Sequence, residues 1–438
     1  MNFREEAYYT ILKVMKNNEF SDALLQQRAK KLKHNGEDIR LFYTTVKGVI
    51  KMRQKLDFIL SHYTETKKFE ETDIKIKILL YLGLYQIIYL ESIPEHAAVN
   101  ETVDLAKRLL SATVADFVNA VLRAYLRENK IQYPADPALR IAYEHSYPPE
   151  LIKTWIDIWG EESTEYLAMY FNENPALHIR VNSTATNPEK LQKYFERRNI
   201  EIIPCKASKM MFYTHQSAEV LNDVAFSEGY FSVQDTSAAL VVELLDPKPD
   251  HSVLDLFAAP GGKCTYIAEL MNNQGEIVAV DKIPKKMKRL KQAADRLQLN
   301  NIIQVVTDAT KYGPVAPAFQ RVLVDAPCSG WGVFSRKADL RWQTHNDIRE
   351  LVKLQEKALD HAASFVAPEG FLVYSTCTMN PKENEEQVSK FLSKNPKFNL
   401  VPADSFIATE FTDSGFLKTI PFKHHMDGAF AAKMQKSK

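Results

Sequence analysis

The sequence predicts a multidomain protein: an all-α N-terminal domain, a small α+β middle module, and a doubly wound α/β domain on a parallel sheet. Three observations carry that expectation. Apolar residues recur at helical spacing from Glu5 to about Arg127; two prolines interrupt that pattern at residues 132–140 (QYPADPALR); and after Gly229 continuous apolar runs alternate with longer helical stretches. A chain of 438 residues also exceeds what one hydrophobic core organises. The expected boundaries are 1–135, 140–235 and 236–438.

In the first domain, Ala7, Ile11, Leu12, Val14 and Met15, and later Leu41, Val46, Val49 and Ile50, recur at helical spacing, and no proline precedes Pro94. Residues 83–110 read as a buried helix, a turn at Ser92 to Pro94, and an amphipathic helix, with a closing helix over 117–127. The middle module mixes short helical stretches with strand-like ones at 176–182 and 210–214. In the last domain, residues 252–257, 276–281, 301–308, 321–327 and 370–376 are five runs each too apolar on both faces to have one side wet. Such runs belong to a parallel sheet covered by helices on both faces.

Bulk properties narrow the class. With 45% apolar and 25% charged residues, 14 Gly and 20 Pro, no long disordered tract is expected. The N-terminus lacks the apolar core of a signal peptide, and the longest apolar run, Ile78 to Tyr89, is broken by Gly83 and Gln86 and is too short to span a bilayer. No membrane association is expected. The four cysteines, Cys205, Cys264, Cys328 and Cys377, lack metal-ligand spacing, which predicts no metal, no disulfide scaffold and a reducing cytoplasm. Net charge is +1, so any nucleic-acid contact must come from local patches. Residues 1–130 carry 21 basic against 17 acidic side chains, a weak bias; Lys282, Lys285, Lys286, Lys288, Arg289 and Lys291 are far denser. They read either as a solvated helix face or as a surface that meets RNA.

The candidate site gathers at strand ends, where doubly wound sheets bind ligands. The first run leads into Phe257-Ala258-Ala259-Pro260-Gly261-Gly262-Lys263, whose small residues let a ligand approach the backbone ahead of a helix. It lacks the three spaced glycines of a pyrophosphate loop and suits a ligand without phosphate. Asp281 and Asp308 end the second and third runs, and an acidic ring suits a cationic adenosyl ligand. Each has a bland reading as a turn or helix cap. The fourth run ends in Asp325-Ala-Pro-Cys328 and the fifth in Ser375-Thr-Cys377-Thr378. A lone cysteine at a core strand is usually inert; two at equivalent ends, beside an aspartate, point to chemistry.

With these motifs the chain resembles the RNA 5-methylcytosine methyltransferase family, of the bacterial RsmB (Sun/Fmu) type, over most of residues 140–438. Arg180-Val-Asn182, Gln234-Asp235, Asp339-Leu-Arg-Trp342 and Glu383-Asn-Glu385 match as well. Residues 1 to about 130 resemble a NusB-like helical RNA-binding module, through Gly83-Leu-Tyr-Gln86, residues 94–101 and residues 117–123. The resemblance implies a Rossmann-like class I methyltransferase domain and S-adenosyl-L-methionine as cofactor, held by Phe257 to Lys263, Asp281, Asp308 and Asp325. It implies small-subunit (16S) ribosomal RNA as the partner, with no obligate protein partner. It makes Cys377 the nucleophile and Cys328 the residue of product release. The chemistry of cytosine gives Asp325 the place against ring nitrogen 3, and Lys263 reads either as a helix-start cation that orients the base or Asp325, or as a surface lysine. Thiolate addition to carbon 6 is what makes carbon 5 of cytosine able to take a methyl group. The residues alone do not say which thiol attacks; the resemblance selects Cys377.

Two departures stand out: Lys337-Ala338 replaces a usual His-Pro, and Asp427-Gly-Ala-Phe430 replaces Asp-Gly-Phe-Phe. Neither touches the cysteines. Two rival readings remain at this level: a noncatalytic RNA-binding or antitermination protein, and a cytosine methyltransferase acting on another nucleic acid (tRNA, large-subunit rRNA, DNA), where the DNA enzymes attack with the Pro-Cys cysteine.

Overall fold

The computed structural model describes residues 2–17, 19–32, 36–64, 69–313, 318–343 and 348–438. They divide into two units, one comprising Met1–Glu173 with Arg336–Thr344, the other Asn174–Ser335 with His345–Lys438. The expected middle stretch is therefore shared. Helices Pro137–His145, Pro149–Trp159 and Glu161–Tyr170 fall in the first unit, and strands from Leu177 onward in the second.

The first unit is helical, as its apolar spacing predicts. Helix Ile74–Tyr89 is buried without interruption from Ile78 to Gln86, so it is the central helix around which the others pack. Asp73 caps it, accepting from Lys75 N at 2.7 Å, and it ends before the turn preceding Pro94. Gly83 is required by contact: a Cβ there would lie 2.4 Å from Leu122 Cδ1 on helix Ala112–Glu128. Gln86, inside this core, donates to Leu82 O (2.7 Å) and accepts from Arg4 Nε (2.7 Å), so its amide is satisfied locally. Helix Glu95–Leu109 follows the predicted turn. Within the described residues no helix is long and apolar enough to cross a membrane.

Asp339-Leu-Arg-Trp342 belongs to this helical unit. Arg341 is fully buried over the Tyr147 ring (4.1 Å) and donates to Asn172 Oδ1 (2.8 Å) and Phe171 O (2.9 Å). Trp342 Nε1 donates to Ile50 O at 2.8 Å, and Ser21 Oγ to Asp339 Oδ2 at 2.7 Å. These motif residues are anchors in a helical core.

The second unit carries two sheets. Strands β1 (Leu177–Val181), β2 (Ile203–Pro204), β3 (Met211–Thr214) and β4 (Phe231–Val233) pair antiparallel in the order β2-β3-β1-β4. The larger sheet contains β5 (Ser252–Leu256), β6 (Glu276–Asp281), β7 (Ile302–Val306), β8 (Phe319–Asp325) and β9 (Val366–Thr376), all parallel. These are the five predicted runs. Antiparallel β10 (Phe398–Val401), β11 (Thr412–Asp413), β12 (Phe416–Thr419) and β13 (Ala429–Lys436) complete it, in the order β11-β12-β13-β9-β8-β5-β6-β7 with β10 on β13.

Strand alternation sends the side chains to two cores. Val253, Ile277, Leu323 and Val373 pack under helices Thr236–Leu245 and Gly262–Leu270, whereas Leu254, Val278, Val322 and Leu372 face helix Ile348–Ala363. Each such burial contributes about 1.5–3 kcal/mol. The edge strand β7 departs from the expectation of two dry faces, since Ile303 and Val306 are 48% and 53% exposed. An apolar run alone does not distinguish a central strand from an edge one.

One buried group is out of place in this sheet. The Lys433 ammonium on β13 is buried with no hydrogen bond among the described residues, 3.4 Å from the Phe406 ring centre, and burial, with help from the Arg321 charge, lowers its pKa to about 7. The unfolded chain, with an ordinary lysine, then binds more protons between about pH 7 and 10.5, so stability rises with pH across that window. Lys433→Met is expected to stabilise the protein at pH 7 by about 1–4 kcal/mol. Thermal denaturation at pH 7 and 9 checks this: the wild-type midpoint gains on raising the pH, and the variant lacks that gain.

Candidate active site

β8 and β9 run in register, with Asp325 opposite Ser375, so the chain leaves both at one edge of the sheet. That places Cys328, three residues past β8, against Cys377, the first residue past β9. Their sulfurs are 3.2 Å apart, and they are not joined in a disulfide. The hydrogen bond between the sulfurs, and then burial, push the Cys328 thiol well up, so it holds its proton. Asp325 Oδ1 receives Lys263 Nζ at 2.8 Å and Ser375 Oγ at 3.0 Å. Lys263 is no surface lysine. Burial alone would lower its pKa, and the Asp325 carboxylate, with the charges of Cys377 and Asp255, more than reverses this, so the ammonium is kept.

The loop before Lys263 is held in a narrow conformation. Phe257 has φ 67° and Gly261 φ 110°, both in the left-handed region, and Ala258 N donates to Val280 O at 3.0 Å. Gly261 is needed twice, since a Cβ there would also meet Leu290 Cδ1 at 2.4 Å. Ala259 and Pro260 are joined by a cis peptide, and Gly262 opens the helix that carries Lys263. Asp281 Oδ1 accepts from Ile283 N (2.8 Å), and Asp308 Oδ1 from Thr310 N and Oγ1 (2.9 Å each). The Thr310 bonds hold the Asp308 carboxyl below the usual range. Both aspartates therefore cap turns with one oxygen, and Oδ2 of each makes no hydrogen bond among the described residues. The loop and Asp308 follow β5 and β7, and Asp281 and Asp325 end β6 and β8, all at the same sheet edge as the cysteines.

Several supporting residues had only a motif match in the sequence. Arg180, fully buried on β1, donates from Nε and Nη2 to Glu269 (2.9 and 2.6 Å), from Nη1 to Gly262 O (3.0 Å) and Gln234, and stacks 4.6 Å from the Tyr266 ring. It thereby fixes the start of the helix bearing Lys263. Arg180→Met leaves the buried Glu269 unpaired and is expected to cost about 3–5 kcal/mol of stability, read by urea denaturation of the second unit's transition.

Glu383 ties the two cysteine loops together. Buried, it accepts from Ser329 N (2.9 Å), Gln355 Nε2 (2.9 Å), Asn380 Nδ2 (3.1 Å) and Ser329 Oγ. Asn384 Nδ2 donates to Thr378 O at 2.9 Å, beside Cys377. Gly332 N donates to Cys377 O (3.1 Å), and Gly428 N to Gly332 O (2.8 Å); a Cβ on Gly332 would lie 2.0 Å from Gly428 O. The Asp427-Gly-Ala-Phe430 departure thus comes within one residue of a bond network that reaches Cys377.

Asp255 was not foreseen. It is fully buried in β5, and burial foremost, then the Asp325 charge, push its carboxyl well up, against the opposing pull of the Lys263 charge and the neighbouring Cys264 thiol. Its signal was a single acid inside the apolar run Ser252-Val-Leu-Asp-Leu256. Among the described residues, one trio within metal-ligand reach, Glu144, His145 and Glu165, lies in the helical unit, where Arg140 grips Glu165 at 2.6 and 2.7 Å.

Comparison with known proteins gives a consistent result. The profile of the family described as 16S rRNA methyltransferase RsmB/F matches residues 242–435, and that of the NusB family matches residues 1–127. The chain is 35% identical to the probable ribosomal RNA small subunit methyltransferase B of Bacillus subtilis (strain 168), covering 99% of this chain and 98% of the relative. It is 32% identical to the protein of the same description from Synechocystis, with 99% of both chains covered. Among solved structures it is similar to PH0851, with a TM-score of 0.84, 25% identity, and 99% and 98% of the two chains covered. It is also similar to a methyltransferase homologue from Pyrococcus horikoshii, with a TM-score of 0.61, 26% identity, and 69% and 100% covered.

Proposed function

Since this chain belongs to the family of 16S rRNA methyltransferases RsmB/F, we propose that it methylates carbon 5 of a cytosine in small-subunit rRNA, with Cys377 bonded to carbon 6 during transfer. The observation that carries this reading is the pair of sulfurs 3.2 Å apart at the sheet edge where Lys263 meets Asp325. The loop Phe257 to Gly262, with Asp281 and Asp308, fits S-adenosyl-L-methionine: glycines open the backbone, no phosphate cradle is built, and the carboxylates match a cationic ligand. When bound, the cofactor supplies an electrophilic methyl group.

The residues of the chain do the rest. The Cys377 thiolate adds to carbon 6 of an unstacked cytosine, and the electron pair displaced through the ring makes carbon 5 nucleophilic. As negative charge develops at ring nitrogen 3, a proton of the Lys263 ammonium passes through the hydrogen-bonded Asp325 carboxylate to that nitrogen, and it returns when the C6–S bond breaks. After carbon 5 is methylated, its proton passes to water, and the electron pair left behind re-forms the ring double bond as the C6–S bond breaks. Cys328, which holds its proton, donates S–H to the departing Cys377 sulfur.

The test is tritium release. With 16S rRNA carrying cytidine tritiated at carbon 5, one tritium is expected in water per methyl transferred. Methylation without release would place the methyl elsewhere and end this reading.

A further inference from the structure

The cation-dense segment noted in the sequence is helix Pro284–Arg296. Met287, Leu290 and Ala294 are its buried face, while Lys285, Lys286, Lys288, Arg289 and Lys291, with Lys282 just before it, are exposed. Residues 282–296 hold seven cations and one acid, a local charge of +6 in a chain of net +1, so the remainder carries −5.

This distribution works against the helix itself. Lys285 stands three and four residues from Lys288 and Arg289, and Lys288 three from Lys291, where like charges destabilise a helix. Lys285 and Lys286 occupy the first turn, the positive end of the helix dipole, and no acid stands there. Lys291 pairs with Asp295 at 3.3 Å, whereas Lys285, Lys286, Lys288 and Arg289 form no ion pair with a described residue. A face needed only for solubility is better served by mixed signs, with acids four residues ahead of the lysines. A row of one sign, kept against the helix's own preference, matches a polyanion.

Its position matches too. Ile283, at the entry, is fixed by the hydrogen bond to Asp281 Oδ1 (2.8 Å), and Leu290 is the side chain against which Gly261 has no room for a Cβ. The row is therefore keyed to the Phe257–Gly262 loop and starts at the sheet edge that carries the cysteines. From Lys285 to Lys291 the helix rises about 9 Å. Stacked nucleic acid spaces its phosphates about 3.4 Å apart along a strand, so the row spans roughly three of them. We propose that this face binds the phosphate backbone of the rRNA strand flanking the target cytosine. The proposal rests on the rRNA reading above and adds to it the surface that holds the strand.

The experiment compares the full-length protein with K285Q/K286Q/K288Q/R289Q for binding to transcribed 16S rRNA at several salt concentrations. The variant is expected to bind at least about tenfold more weakly near 0.1 M salt, and its slope of log K against log salt to flatten by about 0.7 per lost contact, 2 to 3 in all. Its affinity for S-adenosyl-L-methionine and its thermal midpoint should not fall, since the substitutions remove repulsion and leave the buried face intact. Equal affinity and slope in the two proteins, while the wild type still releases tritium, would overturn the surface and leave the reaction standing. Absence of tritium release by the wild type would instead strike the reaction, and with it this proposal. Tighter binding to phosphatidylglycerol vesicles than to rRNA, lost in the variant, would assign the face to a membrane and also overturn it.

Discussion

Cys377→Ala is expected to abolish methyl transfer, with a loss on the order of 10⁴-fold or more, the scale at which deletion of a covalent nucleophile is felt. Carbon 5 of cytosine does not react without prior addition at carbon 6, so no other part of the site compensates for the missing thiolate. Cys328→Ala is expected to behave differently. Addition and methylation proceed, while the leaving sulfur has lost the thiol 3.2 Å away that eases its departure. The variant should accumulate protein covalently bound to rRNA, visible as a slow band on a denaturing gel that disappears on RNA digestion, and should turn over slowly. If the two substitutions gave the same phenotype, the division of labour between the sulfurs would be wrong.

The second large effect lies in the Lys263–Asp325 pair. Asp325→Asn keeps the shape of the side chain and removes its charge, which is expected to lower the transfer rate by about 10²–10⁴-fold, the usual worth of a positioned proton donor or acceptor. Lys263→Met should lose comparably, because Asp325 Oδ1 is then left with Ser375 as its donor. The double variant should lose little more than either single one, since the two act as a unit. Single-turnover rates, with cofactor affinity measured separately, separate this from a defect in binding. Additive losses would mean that the two residues serve different steps.

Much of this arrangement was legible in the sequence because it follows from strand ends. The five runs are apolar enough to be read as parallel strands, and residues at their ends must collect at one edge. Cys328 and Cys377 were therefore expected close together, but the distance between them depends on the register of β8 with β9, which no local pattern encodes. The supports were less visible. Arg180 and Glu383 are charged residues that periodicity assigns to a surface, yet both are buried, because partners 89 and 54 residues away in the chain complete them. Such long-range hydrogen bonding leaves no local trace. Gly332 and Gly428 are likewise explained only by each other. The Asp-Leu-Arg-Trp segment was legible only as a motif match, and its place among the helices depends on partners such as Phe171, 170 residues away in the chain. Asp255 was readable and missed: one acid inside an apolar strand is costly enough to be a signal by itself.

The central claim, that Cys377 bonds carbon 6 of the target cytosine, is tested most directly with rRNA containing 5-fluorocytosine. Fluorine at carbon 5 cannot leave as a proton does, so the methylated adduct stalls with the attacking sulfur still attached. Digestion and mass spectrometry of the trapped complex, formed with S-adenosyl-L-methionine present, are expected to find the modified nucleotide on the peptide that contains Cys377. A nucleotide on the Cys328 peptide, or an enzyme that methylates ordinary rRNA and yields no adduct with the fluorinated one, would contradict the account.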